Sequence, residues 1–105
     1  MTSRERSERG LYACVCCGYA TIDTPDCYDI CPICFWEDDG QDDSDAHECW
    51  DGPNHVSLLE ARRNFLVFGA AEMKDIKHVR TPNQNDQNLR HYRLEYTVVS
   101  DQKKP

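Results

Sequence analysis

Seven cysteines are the residues of this chain best equipped for chemistry, and four of them are spaced to hold a metal. Cys14-Val15-Cys16-Cys17-Gly18 is followed, after a short stretch, by Cys31-Pro32-Ile33-Cys34. Two Cys-x-x-Cys pairs at this separation offer four thiolates, the donor type and number that tetrahedral zinc takes. We take Cys14, Cys17, Cys31 and Cys34 as the expected ligands. Cys16 rivals Cys17, but Cys14-x-Cys16 leaves one intervening residue and makes a poor knuckle. Cys14 with Cys17 also puts Gly18 just after the second ligand, where the turn profits from positive φ. Pro32 pre-sets φ within the second pair.

Four thiolates saturate zinc. The expected cofactor is therefore one structural Zn(2+) per chain, contributing folding energy and keeping no open position for water or substrate. Zinc deaminase chemistry needs His-x-Glu upstream of Pro-Cys-x-x-Cys, and nothing of that kind precedes Cys31-Pro32-Ile33-Cys34. Redox chemistry would ask for a Cys-x-x-Cys at a helix start in a βαβ setting, whereas the order here is ribbon-like. Cys16, Cys27 and Cys49 read as small buried side chains or idle thiols. The bolder alternative joins His47 and Cys49 with Cys16 or Cys27 in a second site.

The elements that must position these sulfurs follow from the rest of the chain. A length of 105 residues sets one small domain as the prior, with 39% hydrophobic residues and little core to spare. A metal or disulfides must then supplement the core. The cysteine count is odd and no apolar run follows the polar N-terminus, which favours metal and a cytoplasmic location over disulfides and secretion. No stretch is long and apolar enough to span a bilayer.

Residues 1–10 are expected to form a flexible, charged N-terminus and 11–100 a single zinc-stabilised domain, with a tail at 101–105. Within the domain, residues 11–36 form a ribbon, in which a strand at Tyr19, Ala20, Thr21 and Ile22 turns through Asp23-Thr24-Pro25-Asp26 and returns at Tyr28-Asp29-Ile30. Phe35 and Trp36 should pack beside the metal site. Residues 37–55 form an acidic loop, closed by turn residues around Gly52-Pro53-Asn54. Residues 56–80 are helical. Ser57 caps a main helix over 57–68 whose apolar stripe holds Leu58, Ala61, Phe65 and Phe68, with Gly69 at its C-terminus and Arg62 and Arg63 on the polar flank. A shorter second helix lies within 70–79, and Tyr92, Leu94, Tyr96 and Val98 alternate along a C-terminal strand over 89–100. The expected fold class is small α+β: a zinc-ribbon-like N-terminal hairpin packed on one main helix, a short second helix and a C-terminal strand.

Certain longer stretches carry more than spacing. Tyr12-Ala13-Cys14-Val15-Cys16-Cys17-Gly18-Tyr19 and Tyr28-Asp29-Ile30-Cys31-Pro32-Ile33-Cys34-Phe35-Trp36-Glu37-Asp38-Asp39-Gly40 resemble the cysteine-rich CPCC family of small bacterial proteins. The resemblance continues through Gly52-Pro53-Asn54, Ser57-Leu58, Glu60-Ala61-Arg62, Asn64-Phe65, Phe68-Gly69-Ala70 and His78-Val79-Arg80, and covers residues 12–82. The family's namesake motif has Pro where this chain has Val15, and every cysteine of the motif is kept. The resemblance implies a zinc-binding bacterial domain and brings no catalytic residues with it.

Charge narrows the partners. The formal net charge is −7, and residues 37–51 contain Glu37, Asp38, Asp39, Asp42, Asp43, Asp45, Glu48 and Asp51 with no Lys or Arg. A protein-interaction module with a basic protein partner fits this field, and nucleic acid, a polyanion, fits it poorly. The nucleic-acid alternative requires Arg62, Arg63, Lys74, Lys77, Arg80, Arg90 and Arg93 to converge on one basic face. An enzyme would require an open metal position, or His47, His55, His78 or His91 meeting a carboxylate in a pocket. No spacing in the sequence asks for that.

Overall fold

The computed structural model describes residues 4–90. Two short antiparallel strands, β1 (Tyr12–Ala13) and β2 (Ala20–Ile22), pair with Tyr12 opposite Ile22 and Ala13 opposite Ala20. One turn of 3-10 helix follows at Asp43–Asp45, then the main helix α1 (Leu58–Phe68) and a 3-10 helix at Met73–His78. This is a small α+β fold with an N-terminal β-hairpin packed against a main helix and a short second helix. The strand expected over 89–100 lies outside the described residues from position 91 onward.

The hairpin pairing differs from the sequence reading. The extended segments at 19–22 and 28–30 do not pair with each other. Each instead folds back across its own knuckle. Cys14 donates to the carbonyl of Tyr19 at 2.8 Å, and β1 meets β2 directly beyond it. Around the second knuckle, Cys31 donates to Trp36 at 3.0 Å, Ile30 bridges Glu37, and Asp38 donates to Asp29 at 2.9 Å. A tight knuckle reverses the chain by itself through its own turn hydrogen bonds, and the backbone groups of residues 28–30 are then taken up by residues 36–38.

Both edges of the hairpin are covered by the ends of the described chain. On the β1 side, Ala13 donates to Glu5 at 2.9 Å and Arg6 bridges Tyr12. On the β2 side, Ala20 donates to Gln87 at 2.9 Å and Asn88 bridges Tyr19. Residues read as a frayed N-terminus are thus, from Arg4 onward, an edge of the sheet.

Helix α1 begins where Ser57 accepts the Glu60 amide at 3.1 Å and ends at Gly69, whose φ of 87° is the left-handed cap that glycine takes without a Cβ penalty. Leu58 and Ala61 are buried and Phe65 packs against the core from its edge. Arg62, expected on the polar flank, is buried as well. Its Nε donates to the carbonyl of Val15 at 2.9 Å and its Nη2 to Asp43 at 2.7 Å, so it pins α1 to the first knuckle. The core itself is built from the cysteine segments: Cys14, Val15, Cys16, Cys17, Ile22, Cys31, Ile33, Cys34 and Trp36 cluster with Leu58, Ala61 and Ala71. Phe35 and Trp36 both flank the cysteines, Trp36 fully buried and Phe35 half-buried against the His78 ring, 4.9 Å between centroids.

Candidate metal centre

The two knuckles are built alike. In the first, the Gly18 amide donates to the Cys14 carbonyl at 2.8 Å, and in the second, Phe35 donates to Cys31 at 2.8 Å. The residue after each second cysteine has positive φ, 86° at Gly18 and 71° at Phe35. The residue after each first cysteine offers its carbonyl outward, Val15 to Arg62 and Pro32 to the Arg80 amide at 3.2 Å.

These paired turns bring together the sulfur atoms of Cys14, Cys17, Cys31 and Cys34, all within 4.8 Å of one another and all buried. Cys14 to Cys34 spans 3.6 Å and Cys17 to Cys31 spans 3.7 Å. Four sulfurs about 2.3 Å from one zinc in tetrahedral array stand about 3.8 Å apart. The separations exceed by far the roughly 2.05 Å of a disulfide, and all seven cysteines are free thiols. The donor set therefore fits a single metal ion.

The local electrostatics set what a bound ion must overcome. Burial pushes the Cys14, Cys17 and Cys34 thiols well above their ordinary range. Burial pushes on Cys31 too, but there hydrogen bonds from Cys14, Cys17, Cys34 and Thr21 prevail and hold it well below. Thr21 Oγ1 donates to Cys31 Sγ at 3.1 Å, and the Ile33 amide approaches the same sulfur at 3.4 Å. Four negative sulfurs could not share so dry a space without a cation among them. Bound metal keeps them deprotonated.

Cys16 is buried beside this cluster without belonging to the group of four, while Cys27 and Cys49 are exposed. Cys49 Sγ faces the His55 carbonyl at 3.5 Å, and the His47 side chain is 71% exposed. Among the described residues no second group of His, Cys, Asp or Glu has metal-holding geometry. His78 stacks on Phe35, and His91 lies outside the described residues.

The basic face that the nucleic-acid alternative requires is largely spent on internal ion pairs. Arg62 reaches Asp43, Arg80 holds Asp86 at 2.7 Å, Lys74 holds Asp75 at 3.1 Å, and Arg90 holds Asp42 at 2.9 Å and Glu5 at 2.8 Å. Arg93 lies outside the described residues. The acidic loop is partly spent in the same way. Asp38 is fully buried against Arg4, and Asp42 faces Arg4, Arg62 and Arg90 together. Asp39 and Asn54 brace the loop from inside, with Asn54 accepting the Glu37 amide at 3.1 Å and donating to its carbonyl at 2.8 Å. Sequence reading missed Arg4 and Arg90 as structural residues, because pairs this remote along the chain leave no periodic signal.

The geometry defines a class: a small α+β module whose core is a four-cysteine cluster able to coordinate one metal ion. The family model for cysteine-rich CPCC proteins matches residues 12–86, and the chain belongs to that family. Neither a curated protein nor a solved structure matches the chain.

Proposed function

We propose that this chain is a zinc-stabilised, cytoplasmic protein-interaction module that binds a basic protein partner. Its one Zn(2+) is held by Cys14, Cys17, Cys31 and Cys34 and is structural. The observation that carries this reading is the gathering of four buried sulfurs within 4.8 Å. Four thiolates fill the coordination that zinc prefers, so the ion supplies folding energy rather than an activated water. The basic partner is supported by charge: net −7 over the chain, with the Glu48 side chain 53% exposed and Asp51 exposed in a segment without Lys or Arg. Such a field speeds encounter with a basic surface and weakens with salt.

Native mass spectrometry with metal analysis, run on the parent and on Cys31→Ser, tests the metal half. One zinc per folded parent chain and an unfolded, metal-free variant are expected. Two metals per chain, or a folded metal-free parent, would overturn it. Capture of a basic partner at low salt, lost as salt rises, tests the other half, and salt-insensitive capture would remove the electrostatic argument.

A further inference from the structure

A hydroxyl crosses from one knuckle to the other. Thr21 lies in the middle of β2, on the arm that leaves the first knuckle, and its Oγ1 donates to Cys31 Sγ of the second knuckle at 3.1 Å. Backbone on both sides fixes Thr21 there. Before it, Ala20 donates to the Gln87 carbonyl at 2.9 Å. After it, Ile22 is fully buried and pairs with Tyr12. The amides of Asp23 and Thr24 then both donate to Asp29 Oδ2, at 3.0 and 3.1 Å. Asp29 stands two residues before Cys31, so the carboxylate that closes the turn after β2 also holds the start of the second knuckle beside Thr21.

The four sulfurs do not share the same surroundings. Cys14 faces Cys34 at 3.6 Å and Cys17 faces Cys31 at 3.7 Å. Among the described residues, Cys31 Sγ is the one of the four that meets donors other than sulfur, the Thr21 hydroxyl and the Ile33 amide at 3.4 Å. Four thiolates around one divalent ion make a dianionic centre, and all four cysteines are fully buried. Charge in such a place is costly unless it is hydrogen-bonded. An O–H aimed at a thiolate is a charge-assisted hydrogen bond, stronger than the same hydroxyl makes to a neutral acceptor. Partners of this kind orient a metal's ligands and set how firmly they hold it.

We propose that Thr21 is a positioning residue of the metal centre: its hydroxyl fixes the Cys31 sulfur for the ion and draws off part of its negative charge. This role rests on the structural-zinc reading above and deepens it. A residue outside both Cys-x-x-Cys pairs takes a share of the hold on the metal, and its hydroxyl rather than its methyl carries that share.

The test uses the full chain and two substitutions. Thr21→Val removes the hydroxyl and keeps a branched side chain that suits a strand. Thr21→Ser keeps the hydroxyl and removes the methyl. Competition with a chromophoric chelator reads zinc affinity. Thr21→Val should bind zinc about tenfold more weakly than the parent, the low end of what losing a partner of a metal ligand costs, and Thr21→Ser should stay close to the parent. With Co(II) in place of zinc, the thiolate-to-metal charge-transfer band should move to longer wavelength in Thr21→Val, because a sulfur without its hydrogen bond gives up an electron more readily. In Thr21→Ser the band should stay in place. Should Thr21→Val fail to fold, Thr21→Ala takes its place with the same expectations. Affinity equal to the parent's in Thr21→Val, or an unmoved band, overturns the role. So does a Thr21→Ser variant as weak as Thr21→Val, since packing would then be what was lost. The parent separates this from the broader reading. A parent that takes up no zinc, or whose Co(II) form lacks the charge-transfer band of four thiolates, removes both. A parent that holds zinc on four sulfurs while the Thr21 variants match it removes the role of Thr21 alone.

Discussion

The two knuckles perform one task with different materials. Their backbone hydrogen bonds match, their carbonyls are braced at equivalent places, and both turn through positive φ after the second cysteine. Yet the first places Gly18 at that point and the second Phe35. Glycine accepts this conformation freely, whereas another L-residue is strained by about 1 kcal/mol or more. The difference lies in what covers each turn. Over the first runs the backbone of residues 88–90, with the Leu89 amide donating to the Gly18 carbonyl at 2.7 Å. A Cβ on Gly18 would stand 2.7 Å from Asn88 Oδ1 and 3.0 Å from Arg90 Cβ. Over the second lies a side chain, His78, on which the Phe35 ring stacks. One knuckle is closed by a covering segment whose Asn88 and Arg90 side chains leave no room for a Cβ. The other is closed by a ring contact that offsets strain.

The largest effects should come from the sulfurs common to both. Cys17→Ser is expected to lose the metal and with it the fold, because structural zinc supplies on the order of 10 kcal/mol or more. Cys16→Ala, one position away, should keep one metal per chain and cost about 1–2 kcal/mol for a buried truncation. Metal content and denaturant midpoints check both, and equal metal loss in the two variants would break the assignment of ligands. Gly18→Ala comes next. Left-handed strain together with displacement of Asn88 and Arg90 should cost about 2–3 kcal/mol with the metal retained. A midpoint within error of the parent would show that the covering segment has room to move.

Phe35 should show the reverse order. Phe35→Ala loses the stack and keeps the strain, while Phe35→Gly loses the stack and relieves the strain. The glycine variant is therefore expected to be the more stable of the two by about 1 kcal/mol, measured by urea unfolding. Equal stabilities would mean that the turn carries no strain.

A smaller effect concerns acid. Burial tends to raise the Asp42 carboxyl, but hydrogen bonds and charge from Arg90, the Asp43 amide and Arg4 outweigh it and hold the group below its usual value of 3.8. A carboxylate lower in the folded chain than in the unfolded one stabilises above that usual value, and the contribution drains away as pH falls through the lowered one. Asp38 is shifted the other way, upward, by burial ahead of the pulls of the Asp26 amide and Arg4. Its contribution is fully present below 3.8 and is lost as pH rises through the raised value, so it opposes Asp42 across neighbouring pH. Thermal midpoints below about pH 4 should fall less steeply in Asp42→Asn than in the parent, and parallel curves would remove Asp42 from the acid response.

How far the sequence revealed all this depends on how local each signal is. The cysteine pairs and α1 were legible because their determinants sit within a few residues: ligand spacing, the Ser57 cap, the Leu58–Ala61 stripe and Gly69. The family match extends the same local signals across residues 12–86. Strand pairing was misread because residues 28–30 have a strand-like pattern whichever partner they take, and only the knuckle geometry sends them to 36–38. The arginine network was hidden altogether. Arg4, Arg62 and Arg90 look like surface charges one at a time, and nothing short of the fold shows them meeting at Asp42.

X-ray absorption at the zinc edge of the purified protein reads the ligand set itself. A single zinc environment of four sulfurs at about 2.3 Å with no lighter neighbour is expected. A nitrogen or oxygen scatterer at about 2.0–2.1 Å would place a histidine, carboxylate or water where a thiolate is assigned, and would contradict it.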